Sequence, residues 1–278
     1  MLMMLSSILL LQVNTIITQS INNEKIVKWC QANKLTINEK KTEAMWINGG
    51  LKLHDSELSE IKINNIPIKY CNEFKYLGLW IDKQLKFEKH LYELSSKIKR
   101  QIGMLYRCRR YLTFSQSIFL YKTLILPIFD YVDIFYESAN KSGLENLQIL
   151  QNRCLRICYP RNKWPGTIKA HTENKLLFLK DRGKLHLAQI ALSYKSNIDK
   201  SNKVKSNKHD HNTRSKNKNL LDPMHSKYKV IDKSGTQGIP ELWNSLPDFV
   251  RKVTSKEELD IILPIVLWAE RLKQYNLE

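Results

Sequence analysis

Apolar residues recur every three or four positions between residues 87 and 112, which is the spacing of one face of an α-helix. That face consists of Phe87, Leu91, Leu94, Ile98, Ile102 and Leu105. Helices are also predicted over residues 15–34, 115–136, 144–158, 176–198 and 256–274. Thr113 is a candidate helix cap, Pro127 predicts a kink, and Pro264 is expected to interrupt the last helix.

Short strands are predicted in the first third of the chain. Residues 72–82 alternate between two faces, with Phe74, Tyr76 and Trp80 on one of them, and Gly78 is expected to form a bulge in this strand. Residues 61–63 and 66–68 flank a turn-prone Asn-Asn pair and predict a hairpin that joins the same antiparallel sheet. A further strand is predicted within residues 40–47. The predicted fold class is α+β and mainly α, with a small antiparallel sheet, a helical bundle and a short C-terminal helical unit.

Composition adds a functional expectation. The chain has 278 residues, of which 42% are hydrophobic, and it carries 45 Lys and Arg against 27 Asp and Glu. The net charge of +18 favours a polyanionic partner, and nucleic acid comes before a membrane because the charge is not confined to one amphipathic helix. Five cysteines without a Cys-x-x-Cys pair predict a reduced, intracellular protein. Cys154 and Cys158 are expected to be buried thiols rather than metal ligands.

The predicted helix over residues 87–112 has a basic outer side. Between Ser95 and Leu112 there are six basic residues and no acidic one. A solvated outer face usually mixes both charges, so this pattern favours a surface that contacts phosphates over an ordinary solvated face. The candidate contacts are Lys97, Arg100, Arg107 and Arg110.

The residues Phe74-Lys75-Tyr76-Leu77-Gly78, followed by Ile81-Asp82, resemble the Phe-Lys-Tyr-Leu-Gly box of reverse transcriptases encoded by non-LTR (LINE or jockey-like) retrotransposons. Other segments resemble the same family in the same order, from about residue 15 to the end. They are Asn-x-x-Lys-Thr at 38–42, the apolar segment 120–131, Leu-Gln…Gln-Asn…Leu-Arg at 147–156, His-Asn-Thr-Arg at 211–214 and Glu-Leu-Trp-Asn-Ser-Leu-Pro at 241–247.

The resemblance implies roles for particular residues. Residues 74–78 would form the hairpin that grips the primer end, with Lys75 meeting a phosphate. The basic helix would begin the thumb, which rests on the template-primer duplex. Lys41 would lie near the incoming triphosphate, and a solvated lysine at a strand start is the alternative. The implied partner is RNA or an RNA–DNA hybrid, bound without sequence preference, with no membrane partner and no small-molecule substrate retained.

The resemblance also implies a domain order. Residues 1–84 would be a palm remnant, 85–198 a thumb-like helical domain, 199–235 a flexible basic linker and 236–278 a C-terminal helical unit anchored by Trp243. Residues 1–14 carry no family motif, and we expect them to be translated out of frame. If Leu2 is encoded by CTG and a T precedes the start codon, the shifted frame of Met1–Met4 encodes Tyr-Ala-Asp-Asp.

Nucleotidyl transfer in this family uses two divalent metals held by aspartates of a Tyr-Ala-Asp-Asp box and of an earlier strand. Neither segment occurs in this sequence, and Asp82, Asp130 and Asp133 fall outside those contexts. No nearby carboxylate pair is expected to replace them. We therefore expect a truncated reverse transcriptase that is inactive alone. It should have no catalytic residues, metal ligands or cofactor of its own, whereas the complete family enzyme uses Mg²⁺. Two alternatives remain: part of an active polymerase whose N-terminal half is missing from the gene model, and a nucleic-acid-binding or scaffold protein without a polymerase role.

Overall fold

The chain forms two compact units, residues 1–90 and residues 91–278. The computed structural model describes residues 9–11, 25, 27–38, 41–46, 60–131, 133, 141–202, 220–221 and 235–274. The predicted basic linker and the His-Asn-Thr-Arg motif fall largely outside these residues, as do residues 1–8. None of the helices within the described ranges has the length and apolarity of a membrane-spanning segment.

The first unit contains short strands and one described helix, α1, over residues 27–32. The strands are β1 (Leu9–Leu11), β2 (Glu43–Trp46), β3 (Lys62–Ile63), β4 (Ile66–Pro67), β5 (Lys69–Tyr70), β6 (Glu73–Tyr76) and β7 (Leu79–Asp82). The predicted α+β and mainly α fold class is confirmed, with small antiparallel pairs of strands. The prediction that these strands join into one antiparallel sheet is wrong. β1, β2 and β5 form a parallel sheet in that order, and β3–β4 and β6–β7 are separate antiparallel hairpins.

The hairpin predicted at Asn64 and Asn65 is confirmed. Both residues have positive φ angles, 51° and 64°, as a two-residue type I′ turn requires. The turn directs Ile63 into a small core with Ala44 and Ile61. This core supports β2, which the Asn-x-x-Lys-Thr segment precedes.

Helices are present in each of the regions predicted beyond residue 87. The one predicted over residues 115–136 ends at Asp130, and the last residues of that prediction lie largely outside the described ranges. The second part of the chain contains α2 (Glu88–Cys108), α3 (Phe114–Leu120), α4 (Leu126–Asp130), α5 (Lys141–Cys158), α6 (Thr167–Glu173), α7 (Leu179–Asn202), α8 (Gly235–Ser245), α9 (Asp248–Arg251) and α10 (Lys256–Gln274). Pro264 does not interrupt the last helix, because α10 continues through it. Buried apolar residues of α2, α3, α4 and α5 form one core of the second unit, and those of α7, α8 and α10 form another.

The predicted cap of α3 is confirmed, and the helix is interrupted just before Pro127. Thr113 and Gln116 form a reciprocal capping box at the start of α3. Between α3 and α4 the residues Tyr121–Ile125 form a π-helical turn, in which the Leu126 N–H reaches the Tyr121 carbonyl. Pro127 lacks an N–H group and cannot donate the hydrogen bond that a regular helix needs at this position. A local change of hydrogen-bond register is therefore less unfavourable here than a continuous α-helix would be.

Candidate nucleic-acid interface

The Phe-Lys-Tyr-Leu-Gly segment forms a two-stranded hairpin. β6 and β7 pair in a register that places Tyr76 opposite Leu79. Leu77 and Gly78 form the turn with φ angles of 46° and 88°, both positive as in a type I′ turn. Glycine adopts this conformation without steric cost, whereas leucine is strained there. The predicted continuous strand with a bulge at Gly78 is therefore wrong, and the hairpin implied by the resemblance is present.

The reversal of the chain also changes which side chains share a face. Phe74 lies opposite Ile81 and Lys75 lies opposite Trp80. Phe74 and Trp80 consequently lie on opposite faces, although simple alternation along one strand predicts the same face. The two turn residues break the period of two, so the alternation cannot be carried from one strand into the next.

The tip of this hairpin is an exposed apolar surface. Leu77 is 76% exposed and Tyr76 is 43% exposed. Lys75 and Gly78 are also exposed, while Phe74 is half-buried. The five residues predicted to contact nucleic acid are thus presented by one hairpin. Their role in binding stays a prediction.

Trp80 is the centre of a cationic cluster that the sequence did not predict. Lys89 Nζ lies 3.6 Å from the centroid of the Trp80 ring, and Lys75 Nζ lies 5.5 Å from it. Lys89 also forms an ion pair with Glu73 at 2.5 Å. Cation–π and ion-pair contacts together hold the hairpin against the first turn of α2.

The carboxylate of Asp82, within the family box, organises the loop that precedes α2. It accepts the backbone N–H groups of Gln84 and Lys86, each at 3.0 Å, and of Phe87 at 2.5 Å. Backbone N–H groups at the start of a helix have no partner within the helix. The Asp82 carboxylate accepts hydrogen bonds from three N–H groups in and just before this region. Asp82 therefore stabilises the loop between β7 and α2.

Lys41 lies in a turn immediately before β2. Its N–H donates to the Asn38 carbonyl at 3.1 Å, and the Thr42 hydroxyl donates to the same oxygen at 2.9 Å. Thr42 is buried and Lys41 is exposed. The Asn-x-x-Lys-Thr motif thus has a local structural explanation, and the role of Lys41 near a triphosphate stays a prediction.

The predicted division of α2 into an apolar and a basic side is confirmed. Its buried apolar residues are Leu91, Leu94, Ile98, Ile102 and Leu105. Lys97, Arg100, Arg107 and, just beyond the helix, Arg110 are all exposed. Among the described residues no carboxylate forms an ion pair with any of these four cations. We call these four residues the basic face.

Exposed tyrosines lie next to arginines where α2 ends. The Arg109 guanidinium carbon is 5.3 Å from the Tyr106 ring centroid, and that of Arg110 is 4.8 Å from the Tyr111 ring centroid. The tyrosines are 54% and 75% exposed, respectively. Cationic and aromatic groups therefore alternate at this end of the helix.

Two glutamines of the Leu-Gln…Gln-Asn motif connect α5 to the segment that begins α7. Gln148 Oε1 accepts the Leu179 N–H at 2.9 Å, and Gln151 Nε2 donates to the Leu177 carbonyl at 3.2 Å. Gln151 is fully buried. The motif thus satisfies backbone groups inside the bundle, which is a structural reason for these residue types.

His171 forms a second buried polar contact with this region. Its Nδ1 lies 3.1 Å from the Leu176 carbonyl oxygen and its Nε2 lies 3.0 Å from Asn152 Oδ1. The ring stacks on Phe178 at 4.2 Å. Burial, aided by the nearby Arg271 and opposed by the Leu176 hydrogen bond, lowers the pKa of His171 to about 4. His171 is therefore neutral at pH 7.

Asp130, Asp133 and His186 come together, although no carboxylate pair was expected here. Their potential ligand atoms lie within 4.8 Å of one another. Arg182 donates to both Asp130 oxygens at 2.6 Å, and His186 Nδ1 lies 2.5 Å from Asp133. The bidentate guanidinium already neutralises Asp130 and repels a second cation. The Arg182–Asp130 ion pair and the His186–Asp133 contact thus connect the end of α4, and Asp133 just beyond it, to α7. The cluster does not fit a two-metal centre.

The expected buried thiols are confirmed. Cys154 and Cys158 are both buried. Burial raises the pKa of each thiol to about 12. Both side chains therefore remain protonated and inert at neutral pH.

Comparisons with known proteins find polymerases of mobile elements. The probable RNA-directed DNA polymerase from transposon X-element of Drosophila melanogaster is 26% identical over 100 residues, covering 35% of this chain and 11% of that protein. The RNA-directed DNA polymerase from mobile element jockey of Drosophila funebris is 27% identical over 99 residues, covering 34% and 11%. The probable RNA-directed DNA polymerase from transposon BS of Drosophila melanogaster is 26% identical over 134 residues, covering 47% and 15%.

The aligned part spans only 11–15% of the length of these curated relatives. No protein-family model and no solved structure matches the chain. Over a third to a half of its length, the chain is related to the RNA-directed DNA polymerases of the X-element, jockey and BS non-LTR retrotransposons.

Proposed function

We propose that this chain is the end of the palm, the thumb and the tail of a non-LTR retrotransposon reverse transcriptase. It binds RNA or an RNA–DNA hybrid without sequence preference and does not synthesise DNA alone. The relatives are RNA-directed DNA polymerases, and nucleic acid is the substrate that such enzymes share. The observation that carries the proposal is the basic face of α2.

The basic face suits a duplex that is held through its backbone. Arg100 and Arg107 are two helical turns apart and project from the side opposite the buried residues. Phosphate contacts of this kind position a protein on nucleic acid without reading bases. A hybrid of A-like form offers its backbone and shallow groove rather than base edges to a helix. Exposed arginines and lysines without carboxylate partners therefore favour sequence-independent binding.

The hairpin supplies a second contact. Leu77 is unfavourable in the isolated chain for two reasons. Its positive φ angle is sterically strained, and its apolar side chain is exposed to water. Strained residues of this kind concentrate at functional sites. The hairpin tip therefore contacts the nucleic acid, with Gly78 allowing a close backbone approach.

Catalysis requires residues that this chain does not supply. The sequence contains no two adjacent aspartates. Asp130 and Asp133 are held by Arg182 and His186, so they do not fit a pair of Mg²⁺ ions. We accordingly assign no catalytic residue, metal or cofactor to this chain.

Binding of labelled RNA–DNA hybrids, measured by fluorescence anisotropy, tests the proposal. Two hybrids of equal length and unrelated sequence should bind with similar affinity, and a hybrid should bind more tightly at 50 mM than at 200 mM salt. An affinity that does not change with salt would contradict phosphate binding and would favour a scaffold role.

Primer extension with Mg²⁺ separates the remaining alternative. The chain alone should incorporate no nucleotide. Incorporation by the purified chain would show that it is part of an active polymerase and would overturn the assignment of inactivity.

A further inference from the structure

A cavity of about 450 Å³ lies where the end of α2 meets the end of α5 and the loop after it. This volume is within the range of about 300–1,000 Å³ that small-molecule sites occupy. Arginines and aromatic rings form most of the lining, and no acidic residue contributes to it. The cavity thus differs from the convex basic face, which suits a duplex.

Four arginines surround this cavity: Arg109, Arg153, Arg156 and Arg161. Across the part of the chain that the structure describes, none of them is ion-paired with a carboxylate. Four guanidinium groups around one concave surface repel one another, and a bound anion would relieve that repulsion. Guanidinium groups match the geometry of phosphate and also stack on planar rings.

The aromatic part of the lining is held rigidly. The Tyr159 ring packs against Trp164 at 5.3 Å and against Phe114 at 4.6 Å. Its hydroxyl donates to Glu173 at 3.0 Å and accepts from Asn174 at 2.9 Å. Burial and the bond to Glu173 raise the pKa of Tyr159, so the hydroxyl stays protonated as the donor. The wall formed by Tyr159 and Trp164 is therefore fixed before any ligand arrives.

We infer that this cavity binds an unpaired nucleotide of a single-stranded RNA or DNA segment. The bases of a duplex are stacked on each other, whereas an unpaired base is free to stack on Tyr106 or Trp164. Arginines around the same cavity bind the flanking phosphates. The inference rests on the proposed function, because a hybrid with a single-stranded extension would deliver such a nucleotide beside the basic face.

Three labelled ligands test the inference with the full chain. They are a blunt RNA–DNA hybrid, the same hybrid with a four-nucleotide extension, and the same extension with abasic sites. The last two carry equal numbers of phosphates, so a difference between them measures base stacking. We expect the extension with bases to bind roughly 5- to 150-fold more tightly than the abasic one, the range expected for one base on an aromatic ring.

Two variants assign that preference to the cavity. Tyr106→Ala should remove most of the preference for bases, and its control is Tyr92→Ala, an exposed tyrosine of α2 outside the cavity. The double variant Arg153→Gln/Arg156→Gln should weaken binding of both extended hybrids and leave the blunt hybrid unchanged. Its control is Lys180→Gln/Lys273→Gln, which removes two exposed charges elsewhere in the same unit.

The outcomes separate the cavity from the proposed function. Equal binding of the extended and abasic hybrids would overturn the inference, and so would variants that behave like their controls. An equal loss for all three ligands in the arginine variant would also overturn it, because the cavity would then be part of the duplex surface. If the blunt hybrid does not bind but the hybrid with the base-bearing extension does, binding of the duplex by the basic face fails and the cavity assignment stands.

Discussion

The Asp82 carboxylate accepts the backbone N–H of Phe87 at 2.5 Å, and this contact joins the end of β7 to the start of α2. The same carboxylate accepts two further N–H groups of the intervening loop. Leu85 and Phe87 have positive φ angles of 56° and 57°. One side chain therefore stabilises a loop whose backbone is strained.

Replacing Asp82 should destabilise the first unit. Asp82→Ala leaves three donors without an acceptor, and we expect it to lower the free energy of unfolding by about 1–3 kcal/mol. Asp82→Asn should cost less, because one oxygen still accepts. Urea denaturation measures both, with Glu60→Ala as the control, since Glu60 forms an exposed pair with Lys62. Equal stability of Asp82→Ala and the control would contradict this role.

Gly143 marks a close approach between α5 and α2. A Cβ atom at this position would collide with the Leu91 side chain, whereas a Cβ at Gly103 would meet only Arg107 Nη1 at 3.9 Å. Gly143→Ala should therefore destabilise the protein by roughly 1–3 kcal/mol, the usual cost of overpacking. Gly103→Ala should stabilise it by about 0.5–1 kcal/mol through helix propensity. Thermal or urea unfolding of the two variants would refute the packing account if both shift stability in the same direction.

His171 should make stability depend on pH. Its pKa is about 4 in the folded protein, against the ordinary histidine value of 6.5, so the folded form binds fewer protons than the unfolded chain between these two pH values. Stability is therefore complete above pH 6.5 and decreases as the pH falls towards 4, by at most about 3 kcal/mol. His171→Gln should lose this component of the slope. Urea denaturation at several pH values measures the free energy of unfolding of the wild type and of His171→Gln. If this free energy depends on pH in the same way in both proteins between pH 6.5 and 4, the account is contradicted.

The helices were predictable because their apolar spacing and their caps are local. The buried side of α2 follows from five apolar positions, and the cap at Thr113 needs only Gln116 three residues later. The turn at Leu77 and Gly78 was not predictable from alternation, because a leucine at positive φ is disfavoured by its own side chain. Only the family resemblance indicated a hairpin there.

Long-range pairing was the main part of the site that the sequence did not reveal. Lys89 and Trp80 meet across a loop, and His186 reaches Asp133 from a helix more than 50 residues away along the chain. Neither contact has a periodic signal. The parallel pairing of β2 with β5 was missed for the same reason, since two-residue strands carry almost no pattern.

The salt dependence of hybrid binding tests the central claim most directly. Removing two charges with Arg100→Gln/Arg107→Gln should reduce the slope of log affinity against log salt concentration by about 2, close to one for each phosphate that is no longer neutralised. The control Lys180→Gln/Lys273→Gln should keep the wild-type slope. If the two double variants have the same slope, the basic face of α2 does not hold the nucleic acid.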